Sequence, residues 1–245
     1  MDFGGTLRNA WPLLLSGLGT TALISIISIL IGMVLGFCSC MMGSSKNMVL
    51  RGISKVYVWV IRGTPMMVQA FIVYFGMPQV IQLMVPGFRI DAFTAGTITL
   101  SLNAGAYLSE IFRGGIQAVD VGQIEAARSL GMSSARTMWR VVLPQALRIA
   151  IPSMVNQFII TIKDTSILSV IGLAEVVNMA KQYVGTTYQF FATYVLVAIC
   201  YLIVISILMV ISNKVEAWLK SDIGDSDHTR QAAVTQLTVQ GELGN

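Results

Sequence analysis

The chain reads as an all-α integral membrane protein with five transmembrane helices and one helix-turn-helix loop on the cytoplasmic side. Three observations lead there. Charged residues are 11% of the sequence and hydrophobic residues 55%, whereas a soluble domain of this size carries roughly a quarter of its residues charged. Mean hydropathy is +0.73, and the apolar residues gather into stretches of about 20, the length that crosses a hydrocarbon core. Lys and Arg collect in alternate loops, the pattern of a multi-pass protein whose cytoplasmic loops are basic. The net charge of +4 is therefore topological and implies no nucleic-acid partner.

The first span, residues 13–42, carries no charge. Arg8 and Asp2 precede it, the apolar run is long, and no small-residue cleavage site follows, so it reads as a helix and not as a signal peptide. The second, residues 56–85, is interrupted by Arg62-Gly63-Thr64-Pro65. Thr64 can cap a helix that Pro65 begins. Alternatively one helix starts near Lys55 and breaks at Gly63–Pro65. In both cases backbone groups leave the regular ladder, which a membrane tolerates only inside protein or beside water. The third span covers residues 92–112 and the fourth 149–173. The fifth, 190–211, is uncharged. The basic residues of the loops after spans one, three and five put the C-terminus inside and the N-terminus outside. Residues 1–220 form the membrane domain, and the polar stretch 221–245 reads as a disordered tail.

Between spans three and four lies a basic loop, residues 115–147. Ile124, Ala127, Leu130 and Met132 suggest one short helix, and Gly131 can end it in a left-handed conformation. Ser133 or Ser134 can cap a second helix bearing Met138, Val141 and Val142, and Pro144 leads into the next span. Glu125 can pair with a basic partner side chain, and Ala126 and Ala127 admit a close surface. An amphipathic loop resting on headgroups is the other reading.

The spans contain polar stripes. Asn103, Tyr107 and Glu110 share a face of span three, and Ser153, Gln157, Thr161 and Asp164 a face of span four. Asn103 lies about eleven residues into its span, roughly 16 Å deep at 1.5 Å per residue. Lys163 and Asp164 each cost about 2.5–3.5 kcal/mol at a helix centre, against about 0.3–0.6 returned per aliphatic residue, so span four must face protein. Such groups either tie helices together or line a path. An amino acid zwitterion needs acceptors for its ammonium and donors for its carboxylate, and the amides of Asn103 and Gln157 offer both. The candidate substrate-binding residues are Asn103, Gln157, Thr161, Asp164 and Pro65. The three cysteines and His228 show no metal-ligand spacing, so no metal or cofactor is expected in this chain.

Glu125-Ala126-Ala127, three residues, Gly131, nine residues, Val141, one residue, then Leu143-Pro144 resembles the EAA signature of ABC importer permeases, with Val where Ile is usual. Arg62-Gly63-Thr64-Pro65, Asn103 to Tyr107 with Glu110, and Lys163-Asp164-Thr165-Ser166 resemble the polar amino acid uptake subfamily, closest in look to glutamine permeases. The resemblance spans residues 11–218. It implies a type I importer permease fold and a coupling role toward the ATPase subunit for Glu125, Ala126, Ala127, Gly131, Leu143 and Pro144. It also implies an ATP-binding cassette partner that binds ATP and Mg, a second permease copy, identical or not, and an extracytoplasmic amino acid binding protein, all at a bacterial inner membrane. No phosphate-binding G-x-x-x-x-G-K-[ST] loop occurs, so this chain is a transport subunit and no enzyme. An intramembrane enzyme would need a nucleophile with a base, and no span contains histidine. A stand-alone secondary transporter would show an internal repeat, and none is evident.

Overall fold

A computed structural model describes residues 3–242, with side chains from residue 4 to 219. No strand occurs among the described residues. Helix α1 is Phe3–Gly43, α2 Met48–Gly63, α3 Met66–Phe71, α4 Met77–Gln82 and α5 Ala92–Gln117. Then come α6 Val121–Ser129, α7 Ser134–Thr137, α8 Leu143–Asp164, α9 Val176–Thr187 and α10 Phe190–Glu242.

Three bodies are long and apolar enough to cross a membrane: Gly4–Gly43, Ser134–Ile171 and Phe190–Leu219. A fourth is the broken pair of α2 with the Met66–Gln82 helix, bent by 107°. The remaining expected span, α5, is less apolar, yet its 26 residues reach about 39 Å. Half of them are buried, among them Thr99, Ser101, Asn103, Gly105 and Ser109. Helix α5 is the hub of the fold: its neighbours, and not lipid, are its solvent, which is why its composition is small and polar.

Packing order gives the directions. Gly32 of α1 abuts Ala104 and Ser101 of α5, Gly36 abuts Gly105 and Leu108, and Ile24 lies by Gly96. Residue numbers rise together, so α1 and α5 are parallel. Gly115 touches Ala146, and Phe112 and Ala150 share one apolar cluster, so α5 and α8 are antiparallel. Thr6 donates to Gln189, and Ala10 and Leu14 pack with Val197, so α10 starts where α1 starts. Helices α1, α5 and α10 thus run one way and α8 the other.

Two prolines that lie inside continuous helical bodies, Pro78 and Pro144, are accommodated in the same way. A π turn, Ile72–Gly76, precedes Pro78, and another, Met138–Val142, precedes Pro144. Proline lacks the N–H for the i→i−4 bond and its ring crowds that carbonyl; one wider turn relieves both. As a result Pro144 does not begin a new helix. The body from Ser134 to Ile171 is continuous, where the sequence suggests a loop ending at residue 147 and a span starting at 149.

Other boundaries also differ. Helix α1 runs through Pro12 to Phe3. Of the two readings of the second span, the broken helix is the one observed. Thr64 does not cap α3; its hydroxyl donates back to Val60 O at 2.8 Å, closing α2. Pro65 is the residue before α3 and not its first. Residues 221–242, read from composition as disordered, continue the α10 backbone helix. No proline follows Pro152, and an established helix propagates at one hydrogen bond per residue. Helix α9 was not anticipated. Its cap is Glu175, whose carboxylate accepts from Val177 N at 2.9 Å and Asn178 N at 2.7 Å. Glu175 is fully buried; burial pushes its carboxyl up, and those two amide bonds pull it back.

Candidate functional site

Two regions hold the expected site residues: a polar belt along α5, which packs on α3 and on α8, and the α6–α7 knob.

In the belt, Asn103, Gln157 and Thr161 are all buried. The antiparallel register that sets Gly115 against Ala146 brings Asn103 level with residues 157–161. Thr161 spends its hydroxyl on Gln157 O of its own helix, at 2.9 Å. Asp164 is half-buried at the end of α8, and Lys163 is exposed. Neither forms a salt bridge among the described residues. Pro65 is exposed, and its carbonyl accepts from Val68 N and Gln69 N.

The organising residue of the belt is Gln69, which sequence reasoning missed. Its amide nitrogen donates to Ile61 O at 2.7 Å, Thr64 O at 3.1 Å and Thr64 Oγ1 at 2.9 Å. Its oxygen accepts from Asn103 Nδ2 at 3.4 Å. The break therefore leaves neither the Ile61 nor the Thr64 carbonyl free, since one buried side chain takes both and ties the bend to α5. A signal was present: Gln69 is the one amide in the apolar run from Met66 to Gly76.

At the opposite end of this face, Glu110 accepts from Arg113 at 2.6 and 3.1 Å and lies 3.5 Å from Arg62. The Arg62 guanidinium also sits 5.1 Å from the Tyr107 ring centroid. Glu110 thus pairs with Arg62 and, more closely, with Arg113.

The knob is built as its sequence suggests. Asp120 caps α6 through Gly122 N. Helix α6 ends at Gly131, whose φ is +79°. Met132 N donates to Ala127 O and Gly131 N to Arg128 O, the paired bonds of a Schellman turn. Ser133 caps α7 by accepting from Arg136 N. Glu125, Ala126, Gly131 and Pro144 are exposed, while Ala127 and Leu143 are buried. Ala127 is thus small for an internal reason: it faces the rest of the fold. The outer surface carries Leu130, 84% exposed, and Val121, 64% exposed.

The family model for binding-protein-dependent transport system inner membrane components matches residues 28–219. The chain belongs to this family. Among curated relatives, the arginine transport system permease protein ArtQ of Bacillus subtilis is 39% identical over 222 residues, covering 91% of this chain and 99% of the relative. The glutamine transport system permease protein GlnP of Escherichia coli K12 is 36% identical over 211 residues, covering 86% and 94%. A crystal structure described as an amino acid ABC transporter with histidines superposes with a TM-score of 0.81 at 37% identity, covering 90% of this chain and 99% of that one. The inward-facing methionine transporter MetNI, at 17% identity and TM-score 0.70, shares the fold. This permease is a membrane-spanning transport subunit of the type I importer fold.

Proposed function

We propose that this permease, the membrane subunit of an amino acid ABC importer, carries a polar L-amino acid between α3, α5 and α8, and that the knob from Val121 to Val142 docks on the ATPase subunit. The observation that supports this reading most is mechanical. The second knob helix runs without a break into α8, from Ser134 to Ile171, and α8 carries Gln157, Thr161 and Asp164. Force applied at Gly131 or Leu130 would move the polar belt as one body. ATP and Mg are held by the partner ATPase, a second permease copy completes the path, and an extracytoplasmic binding protein delivers substrate at the bacterial inner membrane.

Glutamine is the favoured substrate, because the buried groups of the belt are the neutral amides Gln69, Asn103 and Gln157. A cationic substrate is the second reading, favoured by the half-buried Asp164, which has no ion pair among the described residues. The test is the permease purified with its ATPase and reconstituted, with each amino acid supplied on its binding protein and ATP turnover recorded. Asn103→Ala and Gln157→Ala should each raise the half-saturating substrate concentration about fivefold, the value of one net hydrogen bond of about 1 kcal/mol. Unchanged affinity in two well-assembled variants would remove these side chains from the path. Stimulation by arginine and not glutamine would select the second reading.

Orientation has its own test. In a chain whose native cysteines are replaced, Ser44→Cys should label from the cytoplasmic side and Gly185→Cys from the outside. Both positions are exposed. The reverse pattern, or both labelling from one side, would overturn the proposed topology.

A further inference from the structure

Helix α2 is not shaped like the lower half of an ordinary span. It is bent 107° from the helix that follows, and its surface divides into three stripes. One stripe holds Ser54, whose hydroxyl donates to Ser39 O at 2.7 Å, and Tyr57, whose hydroxyl donates to Leu102 O at 2.7 Å. This stripe fastens α2 across α1 and α5. A second stripe, Val49, Ile53, Val56 and Val60, is apolar and between 41% and 68% exposed. The third is basic: Arg51, Lys55 and Arg62. An exposed apolar stripe with a basic one on the roughly opposite side, on a helix bent sharply from the one that follows, is the pattern of a helix lying in a membrane interface.

Beneath it, α1, α2 and α5 enclose a crevice of about 350 Å³. Ser54, Lys55, Trp59, Ser109, Glu110 and Arg113 contribute to its wall. The charge balance there is positive. Glu110 is shared between Arg113 and Arg62, so one carboxylate serves two guanidiniums. Lys55 has no ion pair among the described residues. Arg113 uses Nε and one N–H each of Nη1 and Nη2 on Glu110 and Gln117, which leaves two of its five N–H groups to donate elsewhere. An ammonium and a guanidinium with spare donors, in a partly enclosed space, bind a phosphate oxygen well. Trp59 is part of the wall and 75% exposed, an amphipathic ring of the kind that sits at headgroup level.

We propose that this crevice binds the phosphate of an anionic phospholipid, whose acyl chains lie along the exposed apolar stripe of α2. The assignment rests on the proposed orientation, which puts α2 at the cytoplasmic leaflet, where basic pockets between helices meet anionic headgroups. A soluble phosphate would satisfy Lys55 and Arg113 equally, but it would leave Trp59 and the valine stripe without a role. The bound lipid would brace α2 and so hold Arg62, the last charged residue before the bend.

The test uses the permease–ATPase complex, delipidated in mild detergent and titrated with phosphatidylglycerol or phosphatidylcholine under native mass spectrometry. The wild type should retain phosphatidylglycerol in preference. Lys55→Gln should weaken its retention about fivefold, the effect of one basic residue near a membrane surface, and Lys55→Arg should restore it. Lys55 is exposed and unpaired, so the melting temperature of the variants should not change. Wild-type phosphatidylglycerol retention by Lys55→Gln would overturn the proposal, as would displacement of the lipid by excess inorganic phosphate, which would reassign the crevice to soluble anions. Either failure, with transport and Ser44→Cys labelling intact, would leave the permease function and orientation standing.

Discussion

Gly131→Val should abolish amino acid uptake while leaving a membrane-inserted, folded chain. Gly131 sits at φ +79°, a region that costs an L-residue about 1–2 kcal/mol and a β-branched one more. A Cβ built there meets nothing within 4 Å, so the penalty is purely conformational and local. It falls on the turn that joins α6 to α7 and aims Leu130 outward. The chain can relieve it only by opening the bonds from Met132 to Ala127 and from Gly131 to Arg128. The knob would then present a different surface to the ATPase. The expected result is a complex that fails to assemble, or one that hydrolyses ATP with at least a tenfold loss of uptake. Gly131→Asn, which tolerates the left-handed region, should retain most activity. Normal uptake by a well-expressed Gly131→Val protein would refute this account of the hinge.

That turn was legible because its cause is local. Glycine after an amphipathic run, followed by serine, has few other conformations that satisfy the last carbonyls of the helix. The apolar bodies Gly4–Gly43, Ser134–Ile171 and Phe190–Leu219 were legible for a similar reason: lipid imposes a length and a composition on each segment alone. What could not be read depends on partners distant in sequence. Thr64 had two reasonable roles, and only the bend, with Gln69 reaching back to Ile61 and Thr64, selects one. Ala127 looked like a contact surface because alanine serves equally well inside and outside; its burial comes with the packing of α6 on the Met138–Val142 turn. Helix α9 escaped notice because glutamate is a weak cap by local rules, and its buried carboxylate is held by the Val177 and Asn178 amides together with Tyr201 of α10, which donates to it at 3.2 Å. Asn103 was open to two readings, helix tie or path lining, and its amide donates to Gln69 at 3.4 Å.

Gly36→Leu should prevent a stable complex from forming. A Cβ at Gly36 would lie 2.8 Å from both Gly105 O and Leu108 Cβ and 3.0 Å from Ser109 N. One turn earlier, at Gly32, it would lie 3.0 Å from Ala104 Cβ. The Gly32-x-x-x-Gly36 pair thus lets the parallel helices α1 and α5 meet backbone to backbone, the way small residues drive helix association where the hydrophobic effect does not. Two of the three blocking atoms at Gly36 belong to the α5 main chain, so no rotamer change relieves the clash. Overpacking of this kind costs about 1–3 kcal/mol even where side chains can adjust. Because α5 also seats Asn103, Glu110 and the base of the knob at Gly115, displacing it disturbs every functional region at once. Gly19→Leu, on the same helix, is the matched control, since a Cβ there meets nothing within 4 Å. Thermal unfolding in detergent and yield of the permease–ATPase complex should fall sharply for Gly36→Leu and stay near wild type for Gly19→Leu. Equal stability of the two variants would mean that α1 is a peripheral helix and that the hub argument for α5 is wrong.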